Sequence, residues 1–430
     1  MTPARILAGL ALCTTLAASA AVADEAPAAA APFAFGDFTW MNGNSRQKSQ
    51  PLTIGPATFG LYFDGYYDVS ANHPKDDTIV GSASIGRDNE FTVNLVSAEV
   101  DVSYRNVIST LALQAGNMLS IVQQTDGSVA RGRNLETSNN RYVREATAGY
   151  HWDRLHGVNL EMGIFPSYIG LESYLLAENW SYNRSLVCDF TPFYFTGARL
   201  QIYPSDRLKV EPWLMNGFQT YGKWNRASSL GTSITYRPKE SLGFVANFYY
   251  GTDTRGVPDR KRFHHDDSIL LRYVNRPQAR GVSKMAVSLN NHYGFETGGG
   301  GLPASRAYMA GSSLANRIWF DRDRYAVTLR VEYITNPSRY LAPAPTAAGF
   351  PPGADDYHFN AGGVTATFDF LPTDFMDFRL EYLYRTADVP FFAGPGGTTS
   401  PDGFQGTPGA FTPDLKRHES RFLAAVNFRL

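Results

Sequence analysis

The sequence predicts a transmembrane antiparallel up-and-down β-barrel with about sixteen strands. Three observations predict this fold: an export signal at the amino terminus, segments of about ten residues with alternating hydrophobicity, and connectors that are alternately short and long. The segment 421–430 shows the alternation most clearly. Phe422, Val426 and Phe428 share one face of it, which is the pattern of a strand that meets lipid on one side.

The first residues are typical of a secretory signal peptide. Arg5 supplies a positive charge, residues 6–16 form a short apolar stretch, and residues 21–23 offer a cleavage site of small residues. A lipoprotein signal at Cys13 is a weaker alternative because Leu12 is bulky, and the stretch is shorter than the ~20 residues of a helical anchor. The predicted organisation is a signal peptide at 1–23, an N-terminal periplasmic extension at 24–58 and an outer-membrane β-barrel at 59–430.

The composition favours the same class of protein. The chain has 24 Tyr, 28 Phe and 39 Gly, a formal net charge of −1, and no second apolar run long enough for a helical span. A chain so close to neutral is not expected to bind nucleic acid or another polyanion. After removal of the signal peptide Cys188 is the only cysteine, so the predicted fold does not depend on an internal disulfide.

Sixteen segments carry the strand pattern, and single-chain bacterial barrels have an even number of strands. Fourteen strands is the alternative, since boundaries inferred from sequence shift by a few residues. The segments are 59–69, 96–104, 107–115, 142–150, 158–165, 195–203, 208–216, 230–236, 242–250, 268–274, 285–293, 313–320, 325–333, 360–370, 376–384 and 421–430.

The connectors between these segments give a second line of evidence. Every second connector is short, as at 105–106, 204–207 and 371–375, whereas the others are longer and rich in Gly, Pro, Asn and Asp. Outer-membrane barrels have short periplasmic turns and long extracellular loops. The pattern therefore predicts a membrane barrel, because a soluble sandwich has no reason to separate its loops by length.

The two faces of the predicted strands differ in chemistry. One face is apolar, as at Leu160, Leu329 and Leu380, with Tyr236 and Tyr333 near strand ends, where an interfacial aromatic girdle would lie. The other face is charged, and a barrel of sixteen strands leaves an aqueous channel. Pairing across the ladder is the alternative role of each single charge. The predicted pore-lining residues are Glu99, Asp101, Glu161, Arg199, Lys209, Glu211, Arg272, Arg317, Arg330, Glu332, Arg379, Glu381 and Arg421.

The third outer loop, residues 166–194, is too apolar and aromatic for a solvated loop tip. Its aromatic side chains need a surface to pack against, and the inner wall of the barrel is available. A loop folded inward would carry charges into the lumen, where rings of charged side chains select ions. The predicted constriction residues are Glu172, Glu178, Arg184 and Asp189. A lid packed on neighbouring outer loops is the alternative.

Two polar clusters invite a metal interpretation that we do not favour. Adjacent strand residues point to opposite faces, so the run from His264 to Asp267 cannot form one tight site. We interpret it as the polar start of a strand, and we interpret residues 73–77 as an ordinary loop rather than a calcium site. The sequence predicts no metal, no cofactor and no catalytic residues.

The chain also resembles a family, the porin-2 (OmpL-like) β-barrel porins of the outer membrane, over nearly its whole mature length. The resemblance rests on the segments at 40–46, 64–67, 72–81, 163–173, 179–182, 209–217, 336–340 and 413–415. It implies a porin-type barrel in the bacterial outer membrane. It implies neither a particular solute nor catalytic residues.

These observations predict a water-filled channel for passive diffusion of small hydrophilic solutes, not an enzyme. Mixed lumen charge predicts weak ion selectivity. The expected partners are outer-membrane lipid and lipopolysaccharide, the barrel-assembly machinery, and further copies of the chain in a homotrimer. Two rivals remain: a closed barrel whose outer loops, above all residues 387–416, form a receptor or adhesive surface, and a barrel-borne hydrolase.

Overall fold

We describe a computed structural model of the chain. It describes residues 31–123, 126, 128, 137–223, 225–253, 257–298, 307–337, 340, 358–407 and 409–430. The expected signal peptide at 1–23 lies outside the described residues. Within them, no helix is long and apolar enough to cross a membrane.

The described chain forms a closed antiparallel barrel of sixteen strands. The strands are β1 (Ala57–Ser70), β2 (Phe91–Tyr104), β3 (Val107–Ala115), β4 (Val143–Trp152), β5 (Val158–Pro166), β6 (Tyr194–Ser205), β7 (Leu208–Met215), β8 (Ser229–Lys239), β9 (Leu242–Gly251), β10 (Lys261–Asn275), β11 (Val282–Thr297), β12 (Tyr308–Phe320), β13 (Tyr325–Asn336), β14 (Phe359–Thr373), β15 (Met376–Ala387) and β16 (His418–Arg429). The number of strands predicted from sequence is confirmed, and each predicted segment overlaps one of them.

Each strand pairs with its neighbours in sequence, and β16 pairs with β1 to close the barrel. The closing register runs from Arg421 opposite Ser70 to Arg429 opposite Tyr62. Leu430 adds two backbone hydrogen bonds to Leu61, each 2.8 Å long. Closure leaves no unpaired strand edge, which is the condition for a sheet to lie in lipid.

Little regular structure exists outside these strands in the described part of the chain. It comprises the short helices α1 (Met118–Val122), α2 (Thr137–Asn140) and α3 (Leu186–Asp189), a 3-10 turn at Leu176–Glu178, and the two-residue strands Thr53–Ile54, Phe392–Ala393 and Leu415–Lys416.

The largest boundary difference from the sequence prediction is at β10. The strand begins at Lys261 and not at 268, because residues 261–267 already pair with β11. His264 and Asp266 are buried there, whereas Lys261 is exposed and His265 and Asp267 are partly exposed. Since both faces of this stretch are polar, the alternation in hydrophobicity that marks the other strands is missing. The run from His264 to Asp267 therefore lies inside a strand and does not start one.

The outward face is apolar along most strands. Met162, Leu329, Leu380 and Phe422 are 60–70% exposed. Between them in sequence lie inward residues that are buried and polar, such as Arg330 on β13. The barrel thus inverts the usual arrangement of a soluble protein: its apolar surface faces outward and its charges face inward, as lipid requires.

Candidate pore and constriction loop

The loop between β5 and β6, residues 167–193, folds into the barrel. We call it L3. Leu176, Trp180, Tyr182 and Leu186 of this loop are at most 4% exposed and pack against inward residues of the wall. Trp180 contacts Trp319 of β12 edge to face, with ring centroids 5.6 Å apart. The apolar side chains of L3 are thus buried inside the barrel.

Four wall arginines hold the backbone of L3 by donating to its carbonyl groups. Each is at most 2% exposed. Charged donors make stronger hydrogen bonds than neutral ones, so these contacts fix the path of the loop. The bonds are Arg317 to the Trp180 carbonyl (2.9 Å), Arg379 to those of Leu176 (2.9 Å) and Asn179 (2.6 Å), Arg330 to that of Asn183 (2.6 Å), and Arg385 to that of Arg184 (2.7 Å).

Wall carboxylates hold the same loop by accepting from its donors. Glu381 accepts from the backbone amides of Tyr182 (2.7 Å) and Asn183 (2.9 Å). Glu332 accepts from the amide of Leu186 at 2.8 Å. The wall therefore presents complementary groups to both the N–H and the C=O groups of L3, which otherwise would be buried without partners.

The N-terminal segment reaches L3. The indole of Trp180 donates to the Trp40 carbonyl at 3.0 Å, and the Trp180 amide donates to the side chain of Asn42 at 2.8 Å. Trp40 is 2% exposed and belongs to a buried cluster that includes Trp180 of L3 and Ala286, Ala315 and Trp319 of the wall. The expected periplasmic extension is therefore partly a packed element. L3 itself also touches β3 and β7, through the hydrogen bond from Tyr174 to Gln114 and the stacking of Tyr168 on Trp213.

We call the inward surface of β12–β16 and β1 the loop-covered wall, and that of β2–β7 the open wall. The open wall carries charge pairs in which the basic side chain is partly exposed and the acid, Glu161 or Glu211, is buried. Arg199 pairs with Glu161 at 2.8 Å and Lys209 with Glu211 at 3.1 Å, and the side chains of Arg199 and Lys209 are 20% and 21% exposed. A polar cavity of about 110 Å³ lies between this wall and β16. Its lining includes Ser97, Glu99, Asp101 and Arg144 of the open wall and Arg429 of β16.

The thirteen predicted pore-lining residues therefore divide into two groups. Glu99, Asp101, Glu161, Arg199, Lys209 and Glu211 lie on the open wall. Arg317, Arg330, Glu332, Arg379, Glu381 and Arg421 lie on the loop-covered wall and are 1–6% exposed. Arg272 on β10 is buried by Trp40 and Glu240. Their part in solute passage stays a prediction.

The four predicted constriction residues have different surroundings. Glu172 is buried; it accepts from the amide (2.6 Å) and hydroxyl (2.8 Å) of Ser185 and pairs with Arg330 at 3.2 Å. Arg184 and Asp189 are 2% and 3% exposed, and burial raises the pKa of the Asp189 carboxyl to about 6. Glu178 is less buried and pairs with Arg429. The structure brings all four into L3, but it exposes only Glu178 appreciably.

Sequence reasoning missed the buried acids of β1. Asp68 pairs with Arg421 at 2.7 Å, and Asp64 accepts from the Tyr182 hydroxyl at 2.6 Å. Both are 0% exposed. Asp64 and Asp68 are four residues apart on β1 and therefore share a face, opposite to that of Phe63 and Val69. This pattern could have indicated from sequence that both acids point inward.

A closed sixteen-stranded barrel with an apolar outer surface, a charged interior and an inward-folded third loop defines a porin-type protein of the outer membrane. The family model described as "Putative beta-barrel porin-2, OmpL-like" matches residues 56–422. The chain belongs to this family, as its sequence landmarks predict. A search of curated proteins finds no match.

Solved structures of outer-membrane proteins share the fold. OprB of Pseudomonas putida has a TM-score of 0.52 at 10% identity, with 87% of this chain and 94% of that chain covered. The channel DcaP of Acinetobacter baumannii gives 0.51 at 9% identity, with 88% and 99% covered. An anion-selective porin from Comamonas acidovorans gives 0.51 at 9% identity, with 87% and 99% covered. At such identities the likeness shows the fold alone.

Proposed function

We propose that the protein is a channel for passive diffusion of small hydrophilic solutes, with L3 as its constriction. One observation carries the proposal: L3 packs mainly against one wall of the barrel, while the basic side chains of Arg199 and Lys209 on the open wall stay partly exposed. Sixteen strands enclose more space than side chains fill. A loop fixed to one side narrows such a space without closing it.

The chemistry of the open wall supports hydrophilic solutes. Most of its acids are paired with a base, as in Arg199–Glu161, Lys209–Glu211 and Arg144–Glu99, so most of its charge is balanced. We therefore propose weak ion selectivity. DcaP is described as a channel and the Comamonas protein as an anion-selective porin, and both descriptions fit a transport role better than an enzymatic one.

The test is conductance of the purified, refolded protein in a planar lipid bilayer. A matched pair of variants separates the constriction from the other outer loops. In the first, residues 173–185 of L3 are replaced by a short Gly/Ser linker. In the second, residues 398–411 of the last outer loop are replaced in the same way. We expect stable steps from the wild type, clearly larger steps from the first variant, and nearly unchanged steps from the second.

A closed barrel that uses its outer loops as a receptor or adhesive surface is the second candidate. The packing of L3 and of Trp40 inside the lumen favours it, because the space is filled from both ends. In the last outer loop Phe404 is 74% exposed and available for contact. Silence in the bilayer from protein that shows the heat-modifiable gel migration of a folded barrel would contradict the channel and support this candidate.

We also propose a homotrimer as the assembled form. Aromatic side chains including Phe368, Phe378 and Phe422 lie together on the outer surface and are 40–64% exposed. Either lipid or a second copy can cover them. Chemical cross-linking in native outer membranes tests this: a ladder that ends at three copies supports the trimer, and monomer alone contradicts it. Lipopolysaccharide and the barrel-assembly machinery stay expected partners.

A further inference from the structure

Three potential metal ligands meet on the inward face of two adjacent strands. His264 and Asp266 lie on β10, and His292 lies directly opposite Asp266 on β11. They are 0%, 0% and 3% exposed. One nitrogen of each imidazole and one carboxylate oxygen all lie within 4.8 Å of one another. The cluster combines alternate residues of the run 264–267 with a residue from the next strand, a combination that sequence spacing alone does not reveal.

The spacing of the two imidazoles fits a metal ion. Nε2 of His264 and Nδ1 of His292 are 3.1 Å apart. Two nitrogens bound to one tetrahedral Zn²⁺ at about 2.0–2.1 Å each stand roughly 3.3 Å apart. The separation of the two nitrogens is therefore close to the one that a shared ion requires.

The hydrogen bonds around His292 set the tautomer that such a site needs. The Asn290 amide nitrogen donates to the Ser268 hydroxyl at 2.9 Å, so the amide oxygen Oδ1 faces His292 as an acceptor. Nε2 of His292 lies 2.8 Å from that oxygen and must donate to it. The proton is then on Nε2, and Nδ1 presents its lone pair towards His264. Metal-binding histidines are held in this way by an acceptor on their other nitrogen.

The charge of Asp266 gives a second, independent argument. Its carboxylate accepts from the Gly170 amide at 3.2 Å and from the Asn247 side chain at 2.9 Å. Among the described residues it forms no ion pair, although it is completely buried. Buried carboxylates are ordinarily paired with a cation or bound to a metal. A divalent cation between the two histidines would supply the missing positive charge.

We propose that His264, Asp266 and His292 bind a divalent transition-metal ion, with Zn²⁺ as the best fit to two imidazoles and a carboxylate. The site goes beyond a diffusion channel, because it links the wall to L3. Gly170, at the start of L3, donates to Asp266, and Cys188, in α3, donates to Asn290 at 3.3 Å. A bound ion would brace the wall where L3 is attached.

The chain offers a matched control on the same strand. His265 and Asp267 point away from this cluster, are partly exposed, and form their own pair at 3.3 Å. The variant His265→Asn thus removes a histidine from β10 without touching the proposed ligands. The variants His264→Asn and His292→Asn remove one ligand each and keep a polar side chain of smaller size.

The test refolds the mature chain with Zn²⁺ as the probe and measures metal content by mass spectrometry after exhaustive washing. We expect close to one ion per folded chain for the wild type and for His265→Asn. We expect His264→Asn and His292→Asn to bind more than roughly tenfold more weakly. Refolding with Co²⁺ should give the visible absorption of a tetrahedral nitrogen–oxygen site, which keeps the proposal testable on the wild type if a variant does not fold.

Two results would overturn the proposal. A folded wild type that retains no stoichiometric Zn²⁺ and gives no Co²⁺ spectrum would leave the imidazoles as a simple hydrogen-bonded pair. Equal retention by the wild type and by His264→Asn would place the ion elsewhere. Neither result depends on conductance, so the metal site and the channel can fail separately.

Discussion

The loop-covered wall and the open wall are built from the same residue types, but they differ in what lies against them. Arg330 and Glu332 on β13 are sealed under L3, whereas Arg199 and Lys209 on the open wall keep about a fifth of their side chains exposed. Burial lowers the local dielectric and strengthens each contact, and it also makes an unpaired charge costly. The charges of the loop-covered wall therefore hold L3 in place, whereas the partly exposed charges of the open wall face the rest of the lumen.

The largest expected effect comes from removing Arg330, one of the wall arginines that hold L3. Arg330→Ala leaves Glu172 buried without its ion-pair partner, takes one of two arginine partners from Glu332, which keeps Arg385, and removes two donor bonds to the backbone of L3. We expect the free energy of unfolding in lipid vesicles to fall by about 3–5 kcal/mol. Lys209→Ala on the open wall is the control. Its partner Glu211 is also buried but keeps hydrogen bonds from Gln201 at 2.6 Å and Trp213 at 2.9 Å, so the loss should be smaller, about 1–2 kcal/mol. Equal losses from the two variants would erase the distinction between the walls.

The thiol of Cys188 reports whether L3 stays attached. Cys188 is completely buried, and burial raises the pKa of its thiol to about 12. Both effects suppress the reactive thiolate. We expect maleimide to label the folded mature chain at pH 8 at least about tenfold more slowly than the urea-unfolded chain, a difference of about 1.4 kcal/mol. Labelling should accelerate in Arg330→Ala and not in Lys209→Ala.

A smaller effect is expected at the outer loops, where Asp76 accepts four hydrogen bonds from the amides and hydroxyls of Thr398 and Thr399. Burial alone would raise the pKa of Asp76, but these bonds hold it below its ordinary value. Its stabilising contribution is therefore present above the unfolded pKa of about 3.9 and is lost as pH falls through the lower folded pKa.

Limited proteolysis of the last outer loop measures this contact. We expect protection at neutral pH and faster cleavage below about pH 4. Asp76→Asn should show faster cleavage at neutral pH, by an amount equivalent to about 1 kcal/mol, and should approach the wild type as the pH falls below about 4. Asp402→Asn, which alters hydrogen bonds only within the last loop, is the control. A pH-independent rate in the wild type would contradict the assignment.

The smallest expected effect is on ion selectivity. Glu99→Gln with Asp101→Asn removes two partly exposed acids from the open wall. A unit charge about 10 Å from a permeating ion in water contributes about 0.4 kcal/mol, which salt at about 0.1 M reduces about threefold. Two acids act oppositely on cations and anions, so their removal should raise the anion-to-cation permeability ratio, as measured by the reversal potential, by about threefold. Glu172→Gln removes a buried, paired acid and should shift it less. A larger shift in reversal potential from Glu172→Gln than from the double variant would support a role of Glu172 in the constriction.

The barrel itself was predictable because its cause is local. A strand with lipid on one side must alternate in hydrophobicity. Phe422 and Phe428 lie on one face of β16, and Arg421 and Arg429 lie on the other, whatever the rest of the chain does. The predicted start of β10 was wrong because residues 261–267 are polar on both faces and so show no alternation in hydrophobicity. Inward charges were predictable as a class, but their burial was not, because burial depends on which loop or segment packs against them.

The sequence by itself determined the fold class, the number of strands, the two faces of the wall and the family. Each of these follows from residue pattern within a few positions of the chain. Only the tertiary structure decided which charges are covered, that Trp40 meets Trp180, and that His264, Asp266 and His292 meet on one face. These contacts join residues far apart in sequence, and their partners are set by strand register and loop path, which no local pattern specifies.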